Sequence, residues 1–416
     1  MKCIALVEWN WVGHHPTFYN YFVLALEELG YNVIALCPEP KAAENLAYAT
    51  RVESGMGSRR GLSRFFKIND LANPLGWLWP RRIGVSCSRI KRFRDIEFQA
   101  IKHAREHNLS IGGIFYACIY DRDFAWLRYA SPILQIPWTG LYLHASSVRI
   151  DGQRKLNQSE VYKHERIFRL SSCGGVGILD EGILTQMSTR LRKPVIRIPD
   201  LADKGVVGSP EERELGMRLK HFAAGRPIVG LFGHLQRSKG MLTILRAASI
   251  TGAENICFAL AGDVLWPPDE IEAEQARAAI AGLPNVWSYL KRIPSEGGFG
   301  QLIEACDVLA ATYIDFPHSS NILAKAAVYE KPVIVSDGFL MAERVRRFGT
   351  GEVIRQENAE EFLGAVHAIT MNPDEWKSSK APRWGDYRKE HSFGELKNAL
   401  RKLVDPIIKR DCVDFE

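Results

Sequence analysis

The sequence predicts an α/β protein built of two doubly wound, Rossmann-like domains. Its 416 residues suit two domains, and 46% of them are hydrophobic, which is ample for two cores. Short apolar runs alternate with segments of helical apolar spacing along the chain, which is the pattern of βαβ units with parallel sheets. The pattern passes a predicted hinge at 200–209 and starts again, so we predict an N-terminal domain at 1–205 and a C-terminal domain at 206–384.

The opening segment predicts one βαβ unit. Lys2–Val7 and Asn32–Cys37 are apolar, strand-like runs, and apolar residues recur at helical spacing after Pro16. The loop after the first strand contains Gly13 and His14, at the carboxyl edge where open α/β sheets bind ligands. It holds no G-x-G-x-x-G pattern, so a dinucleotide-dependent dehydrogenase is not favoured. Ordinary loop histidines are the alternative interpretation.

A basic, aromatic region follows. Residues 51–80 lack clear periodicity, which predicts a long excursion from the first domain. Residues 51–110 hold 13 Lys and Arg against 5 Asp and Glu, although the whole chain carries only +6. Basic residues beside Trp and Phe at 76–94 suit an anionic membrane surface, and a solvated basic face is the alternative. No nucleic-acid-binding module accompanies the charge, so we expect no nucleic-acid partner.

Two polar clusters follow later strands of the first half. An apolar run at 111–119 leads to Asp121-Arg122-Asp123, and a D-x-D pattern after a strand can hold a divalent ion on a diphosphate. Asp is also an ordinary helix N-cap, and we expect no metal site. The predicted strand at 137–143 leads to His144, which is our candidate functional residue on this side of the chain, with a satisfied loop histidine as the alternative.

The cysteines and the apolar runs indicate the cellular compartment in which the protein is expected. The eight cysteines show no C-x-x-C spacing, and four lie in strand-like apolar runs, so we expect reduced core residues without a zinc or redox role. No apolar run approaches the roughly 18 residues that a transmembrane helix needs, and the first one is too short for a signal sequence. We therefore expect a cytoplasmic protein, with peripheral attachment to the membrane through 76–94.

Two segments of the second half predict an anion-binding site. The strand-like run 227–233 is followed by a loop that ends in Lys239-Gly240, with Arg237 just before it. The stretch 313–338 predicts a buried strand, a short loop, a helix and a second buried strand. Ser319, Ser320 and Asn321 are natural N-caps of that helix, and a helix N-terminus attracts anions. The segment could therefore hold phosphate, although a cap without a ligand is the alternative.

Residues 233–240 and 316–338 resemble the donor-binding segments of retaining glycosyltransferases of family 4, which have the GT-B fold. The resemblance implies two Rossmann-like domains with an interdomain cleft, and a C-terminal helix at about 385–416 that packs on the first domain. It implies transfer of a sugar, with retained configuration, from a nucleoside diphosphate sugar to a hydroxyl of a glycan or lipid-linked acceptor. It implies no metal or cofactor. It implies no dedicated protein base either, because the leaving phosphate is thought to take the acceptor proton.

The resemblance also implies roles for individual residues. Those near the reacting bond and the leaving group are His144, Arg237 and Lys239. Those around the donor phosphates are Gly13, His14, Gly233, His234, Ser319, Ser320 and Asn321. Those near the nucleoside are Asp263, Arg292, Ile293 and Lys325.

The chain departs from the family pattern at three positions. His234 stands where the family has arginine, and Pro317 and Lys325 stand where it has two glutamates. A lysine cannot accept hydrogen bonds from ribose hydroxyls, which costs about 1.5–3 kcal/mol for each charged bond lost. Two alternatives therefore stay open: a catalytically silent relative that binds a nucleotide sugar or glycan, and a sugar-nucleotide epimerase.

Overall fold

The computed structural model describes residues 1–11, 15–53, 62–68, 81–120, 136–143, 145, 149, 165–201, 204, 209–265, 271–293 and 295–409. The chain divides into two compact units. Unit 1 comprises Met1–Pro199 and Phe393–Glu416, and unit 2 comprises Asp200–Ser392. None of the described helices combines the length and the apolar character needed to span a bilayer.

Unit 1 is organised around a seven-stranded parallel sheet of order β3-β2-β1-β4-β5-β6-β7. Its strands are β1 (Lys2–Val7), β2 (Asn32–Cys37), β3 (Ser63–Lys67), β4 (Ser110–Ile119), β5 (Trp138–Tyr142), β6 (Val176–Ile178) and β7 (Val195–Arg197). The inner strands are buried almost throughout, because helices cover both faces of a parallel sheet.

The described helices of unit 1 include one from the C-terminal end of the chain. They are α1 (His15–Glu28), α2 (Pro40–Glu53), α3 (Arg81–Glu106), α4 (Leu184–Leu191) and α14 (Phe393–Ile408). The apolar stripe of α14 is buried, and Ile407 packs where a Cβ on Gly113 or Gly174 would collide with it. Lys2 Nζ also donates to the carbonyl oxygen of Ile408 at 2.8 Å, so α14 is anchored on the sheet of unit 1.

The predicted excursion at 51–80 is wrong over 63–67. These residues form β3, the edge strand, which pairs with β2 in parallel register. The segment gave no apolar alternation because its side chains are half-buried or exposed, as an edge strand allows. Further along, α3 begins at Arg81, eight residues before the predicted start at residue 89.

Unit 2 contains a six-stranded parallel sheet of order β10-β9-β8-β11-β12-β13. Its strands are β8 (Ile228–Phe232), β9 (Cys257–Ala261), β10 (Val286–Tyr289), β11 (Val308–Ala311), β12 (Val333–Ser336) and β13 (Gly351–Ile354). Its described helices are α5 (Pro210–Ala223), α6 (Met241–Ala248), α7 (Ile271–Gly282), α8 (Glu296–Ala305), α9 (Asn321–Tyr329), α10 (Leu340–Phe348), α11 (Ala359–Met371), α12 (Pro373–Lys380) and α13 (Trp384–Glu390). The two Rossmann-like sheets confirm the predicted fold class.

Each sheet has one point at which the strand order reverses. In unit 1, β1 lies between β2 and β4, and in unit 2, β8 lies between β9 and β11. In open α/β sheets, ligands bind outside the carboxyl ends of the strands at such a switch point. The residues after β1 and β4, and after β8 and β11, are therefore the places where the fold favours a site.

Candidate functional site

The loop after β8 is fixed between the loops that follow its two neighbouring strands. The amide of Leu235 donates to the carbonyl of Asp263, after β9, at 2.7 Å. The carbonyl of Ser238 accepts from the amide of Ile314, after β11, at 2.9 Å. The loop thus lies across the switch point of unit 2, and its residues are held by backbone hydrogen bonds on both sides.

Two glycines let these loops approach closely. Gly240 has φ +72°, and a Cβ there would lie 1.9 Å from the carbonyl oxygen of Thr312. Gly262 has φ +138°, and a Cβ there would lie 1.8 Å from the carbonyl oxygen of Gly233. Only glycine satisfies both the backbone angle and the contact distance at these two positions.

Lys239 is the cation that the loop places at the switch point. Its Nζ donates to the phenol of Tyr313 at 2.8 Å and lies 4.8 Å from the centre of that ring. The Tyr313 hydroxyl lies 3.0 Å from Ser320 Oγ. A Cβ on Gly233 would lie 3.3 Å from Lys239 Nζ, so Gly233 leaves the ammonium group room. Two loops, the one after β8 and the one between β11 and the helix α9, therefore meet at the Lys239 ammonium group.

The helix α9 begins at this group with an open first turn. Ser320 is its N-cap, but the side chain makes no hydrogen bond to the helix, because its hydroxyl contacts Tyr313 instead. The first-turn N–H groups of a helix have no intrahelical acceptors. The N-terminus of α9 at Asn321, with its free N–H groups, therefore lies near Lys239 and has no side-chain cap.

Ser319 belongs to a buried network that braces the loop before α9. Its hydroxyl donates to Asp200 and accepts from Arg344 Nη1 at 2.6 Å. Both charged side chains are buried, and Arg344 Nη1 lies 3.5 Å from Asp200 Oδ2. His391 Nδ1 lies 3.0 Å from the backbone nitrogen of Asp200. The predicted phosphate contact of Ser319 would therefore be made by its backbone.

In the loop after β8, the predicted phosphate ligands Arg237 and His234 do not contact Lys239. Arg237 forms an ion pair of 2.6 Å with Glu272 of α7, and its side chain is 63% exposed. His234 is exposed. Neither takes part in the hydrogen bonds around Lys239. An exposed ion pair contributes roughly 0–1 kcal/mol, so Arg237 can leave Glu272 for a stronger anion at small cost.

The predicted nucleoside residues lie at the ends of β9 and β10 and on α9. Asp263 follows β9, and Arg292 and Ile293 follow β10; Arg292 is exposed and Ile293 packs against the core. Lys325 is buried on α9, where its Nζ lies 2.7 Å from Glu296 Oε2 of α8 and 5.7 Å from the Phe299 ring.

Sequence reasoning missed two residues of this site, Tyr313 and Glu296. Tyr313 had a positional signal, since it follows β11 at the carboxyl edge of the sheet. Glu296 had none, because its relation to Lys325 depends on how α8 packs beside α9.

In unit 1, the predicted residues Gly13, His14 and His144 lie outside the described residues, as do Asp121, Arg122 and Asp123. The neighbouring His15, which belongs to the same histidine-bearing segment after β1, is among the described residues. It is the first residue of α1, and its Nδ1 lies 2.9 Å from Oε2 of the buried Glu8. The signal for it was present in the sequence, namely a Glu and a His on either side of one short loop after β1.

The end of β4 completes this cluster. The phenol of Tyr120 lies 2.5 Å from His15 Nε2, and Asn10 Nδ2 lies 3.3 Å from the same atom. Glu8, His15 and Cys118 offer donor atoms within 4.8 Å of one another, the one such group among the described residues. Both ring nitrogens of His15 are already hydrogen-bonded, so the geometry favours a polar cluster over a metal centre.

A scan against protein-family models finds no match for this chain, and a search of curated proteins finds none either. Solved structures do match along the whole length. HepE from Anabaena, in complex with UDP-glucose, superposes with a TM-score of 0.64 at 15% identity, over 97% of this chain and 99% of that one.

Two further structures extend the likeness. Sucrose-phosphate synthase from Thermosynechococcus elongatus gives a TM-score of 0.64 at 16% identity, over 99% of this chain and 100% of that one. WaaG, a glycosyltransferase involved in lipopolysaccharide biosynthesis, gives 0.58 at 13% identity, over the same shares of the two chains. At these identities the likeness concerns the fold, and the chain has the GT-B fold.

Proposed function

We propose that this protein is a glycosyltransferase of the hexosyltransferase type, which moves a sugar from a nucleoside diphosphate sugar to a hydroxyl acceptor. The observation that carries the proposal is the meeting of Lys239, Gly233 and the start of α9 at the switch point of unit 2. The likeness to HepE, whose structure holds UDP-glucose, supports a nucleotide sugar as donor.

The charges suit a diphosphate. When the donor bond breaks, the nucleoside diphosphate gains negative charge, and cations and N–H groups already in place stabilise it. Lys239 supplies one such cation, and the amides of Ser319, Ser320 and Asn321 supply dipoles of the right sign. Arg237 and His234 lie in the same loop and would join once the donor is bound. These groups make transfer without a metal ion part of the proposal.

The nucleoside would lie beyond the phosphates, toward Asp263, Arg292 and Ile293. By the resemblance, Lys325 would lie near the ribose, at the position where the family has a glutamate. Glu296 lies beside Lys325 and is partly exposed, with 35% of its side chain accessible. Its oxygens could accept hydrogen bonds from the ribose hydroxyls, and the ion pair with Lys325 would hold the carboxylate in place.

The acceptor hydroxyl would come from a glycan or a lipid-linked sugar, with retention of configuration as the resemblance implies. An anionic membrane surface bound through 76–94 remains part of the proposal. In α3, Lys91 and Arg94 are exposed while Phe93 is buried. Charge, rather than the Phe93 ring, would therefore draw this part of the helix to lipid headgroups. Flotation with anionic vesicles, compared with neutral ones, tests this proposal.

The test of the proposed function is the release of UDP from UDP-glucose, with GDP-, ADP- and other UDP-sugars as parallel donors. We expect release to rise when a glycan or lipid-linked acceptor is added, and proton NMR of the product to report its configuration. Lys239→Ala should abolish the rise, and Lys220→Ala, on the exposed side of α5, should not. Interconversion of donor sugars without acceptor would identify an epimerase instead.

A catalytically silent relative is the second candidate, and Lys325 favours it because a buried lysine replaces a carboxylate near the ribose. Such a protein would bind a nucleotide or glycan without releasing nucleoside diphosphate. Nucleotide binding that is lost in Lys239→Ala, with no turnover of any donor and acceptor pair, would establish it.

A further inference from the structure

One side of α3 carries a row of exposed basic residues with an exposed phenylalanine in its middle. The row, which we call the α3 ridge, consists of Lys91, Arg94, Phe98, Lys102 and Arg105. With 3.6 residues per turn, these positions lie within about 80° of one another around the helix axis. They form one narrow ridge, roughly 21 Å long at 1.5 Å per residue.

The opposite side of α3 packs on the core of unit 1. Its apolar side chains are buried, namely Phe93, Ile96, Ala100 and Ala104. The buried Glu97 also accepts the amide N–H of Ile136 at 2.7 Å, so a hydrogen bond adds to the packing on this side. The core therefore accounts for the inner side of α3 and leaves the ridge in contact with solvent.

Phe98 is the unusual member of the ridge. It is 69% exposed, whereas Phe93 on the same helix is 1% exposed. A single exposed apolar residue needs no explanation by itself. Phe98, however, has Arg94 four residues before it and Lys102 four residues after it, so an exposed cation lies about one turn away on either side.

The charge of the ridge is positive. Its four cations have two carboxylates beside them, the half-buried Asp95 and Glu106, whose oxygen lies 4.0 Å from Lys102 Nζ. Among the described residues, no ion pair involves the other three cations, Lys91, Arg94 and Arg105. These three are therefore available to an external anion.

We propose that the α3 ridge docks the protein on an anionic lipid bilayer, with the Phe98 ring in the lipid interface and the four cations on the headgroups. Cation attraction and aromatic burial at the interface both favour such contact. The inference deepens the membrane attachment proposed above and rests on that part of the proposed function. It extends the contact from 76–94 to Arg105. Nucleic acid is less favoured, since phosphate binding would not use the exposed ring.

The charge test compares two double variants that lose the same charge. Arg94→Ala with Arg105→Ala changes the ridge, and Arg213→Ala with Lys220→Ala changes the exposed side of α5 in unit 2. Partitioning is measured by sedimentation with phosphatidylglycerol-containing vesicles and with pure phosphatidylcholine vesicles. The ridge variant should bind the anionic vesicles about 25-fold more weakly, since each cation near such a surface contributes roughly fivefold. The α5 variant should bind like the wild type.

The test of the ring compares two apolar side chains of equal exposure. Phe98→Ser should weaken binding to the anionic vesicles about tenfold, because the ring no longer leaves water. Met371→Ser, at the end of α11 and also 69% exposed in the wild type, should leave binding unchanged. In 5-fluorotryptophan-labelled Phe98→Trp, one ¹⁹F signal beyond those of the ten native tryptophans should broaden with spin-labelled lipid.

The outcomes separate this inference from the proposed sugar transfer. Equal losses in the two double variants would indicate attraction by overall charge and would overturn the ridge as a docking surface. Wild-type binding to duplex DNA but not to anionic vesicles would overturn it as well. In the ridge variants, UDP binding should match the wild type. Ridge-dependent vesicle binding by a protein that transfers no sugar would overturn the transferase and leave this inference intact.

Discussion

The two switch points occupy the same place in their sheets but carry opposite chemistry. In unit 2 the site gathers an ammonium group, close-packed glycine turns and the start of a helix around Lys239. In unit 1 it gathers a buried carboxylate, an imidazole and a phenol around His15. The first set is centred on a cation, and the second is centred on a carboxylate.

The difference shows that the fold sets where a site lies and the loops set what it does. Both loops follow the first strand of their sheet and lead into a helix. The loop of unit 2 relies on backbone contacts, which glycines permit, so its amides and one cation can face an anion. In the described part of the loop of unit 1, the buried Glu8 carboxylate accepts from the amide of Asn10 and contacts His15.

The largest expected effect concerns the ion pair of the buried carboxylate Asp200 in unit 2. Asp200 in unit 2 is paired with Arg344, a permanent cation, whereas Glu8 in unit 1 is paired with an imidazole. Arg344→Met leaves the buried Asp200 without its cation, which should lower the free energy of unfolding of unit 2 by about 3–5 kcal/mol in urea. Arg346 lies on the same helix as Arg344, and Arg346→Met removes its exposed pair with Asp337, which should cost under about 1 kcal/mol. Equal effects would contradict the bracing role of Arg344.

The close approach of the loops in unit 2 gives the next effect. Gly262→Ala adds a Cβ against the carbonyl of Gly233 and should cost about 3 kcal/mol, from backbone strain and overpacking together. Gly252→Ala is the matched control, since its φ is +95° but nothing lies within 4 Å of the added atom. The control should cost about 1 kcal/mol, from strain alone. Urea denaturation of both variants gives their free energies of unfolding, and the difference is the cost of the contact with the Gly233 carbonyl.

The next prediction concerns Glu296, which we propose as the carboxylate that replaces the one missing at Lys325. Glu296→Gln should weaken UDP binding about tenfold, the loss of one charged hydrogen bond. Calorimetric titration with UDP, and with inorganic diphosphate as a ligand without ribose, separates the two contributions. A tenfold loss for both ligands would indicate that Glu296 acts on the phosphates or on folding and not on the ribose.

The smallest effect concerns the hydroxyl that links Tyr313 to the start of α9. Ser320→Ala removes one neutral hydrogen bond, worth about 1 kcal/mol, and should weaken UDP binding roughly fivefold. Ser249→Ala, at the end of α6, removes a solvent-exposed hydroxyl that bonds only its own helix and should leave binding unchanged. Unchanged binding in Ser320→Ala would show that the Tyr313 contact does not position Lys239.

Much of the fold could be predicted because its strands are buried on both faces. β8, β9, β11 and β12 are fully buried and read as continuous apolar runs bounded by turn residues. The half-exposed edge strand β3 lacks that signal, and it was missed. The start of α9 was predictable, since the capping residues Ser319, Ser320 and Asn321 stand where its helical run begins.

The candidate site was predictable only where its residues belong to a short motif of the sequence. Lys239 and Gly240 are adjacent in one short motif, and that motif identified both as candidate site residues. The hydroxyl of Ser319 turns to Asp200, which is 119 positions away in the sequence, and Tyr120 meets His15 across 105 positions. Such pairings arise from the order of the strands and the packing of helices, which local patterns do not encode.

The most direct test of the central claim is calorimetric titration of UDP, GDP and ADP into the wild-type protein, Lys239→Ala and Lys220→Ala. We predict that the wild type binds one nucleoside diphosphate. Lys239→Ala should bind it about 10–100-fold more weakly, the loss of a charged hydrogen bond, and Lys220→Ala should match the wild type. Equal binding by Lys239→Ala and the wild type, or no binding of any of the three nucleotides, would contradict a donor site at the switch point of unit 2.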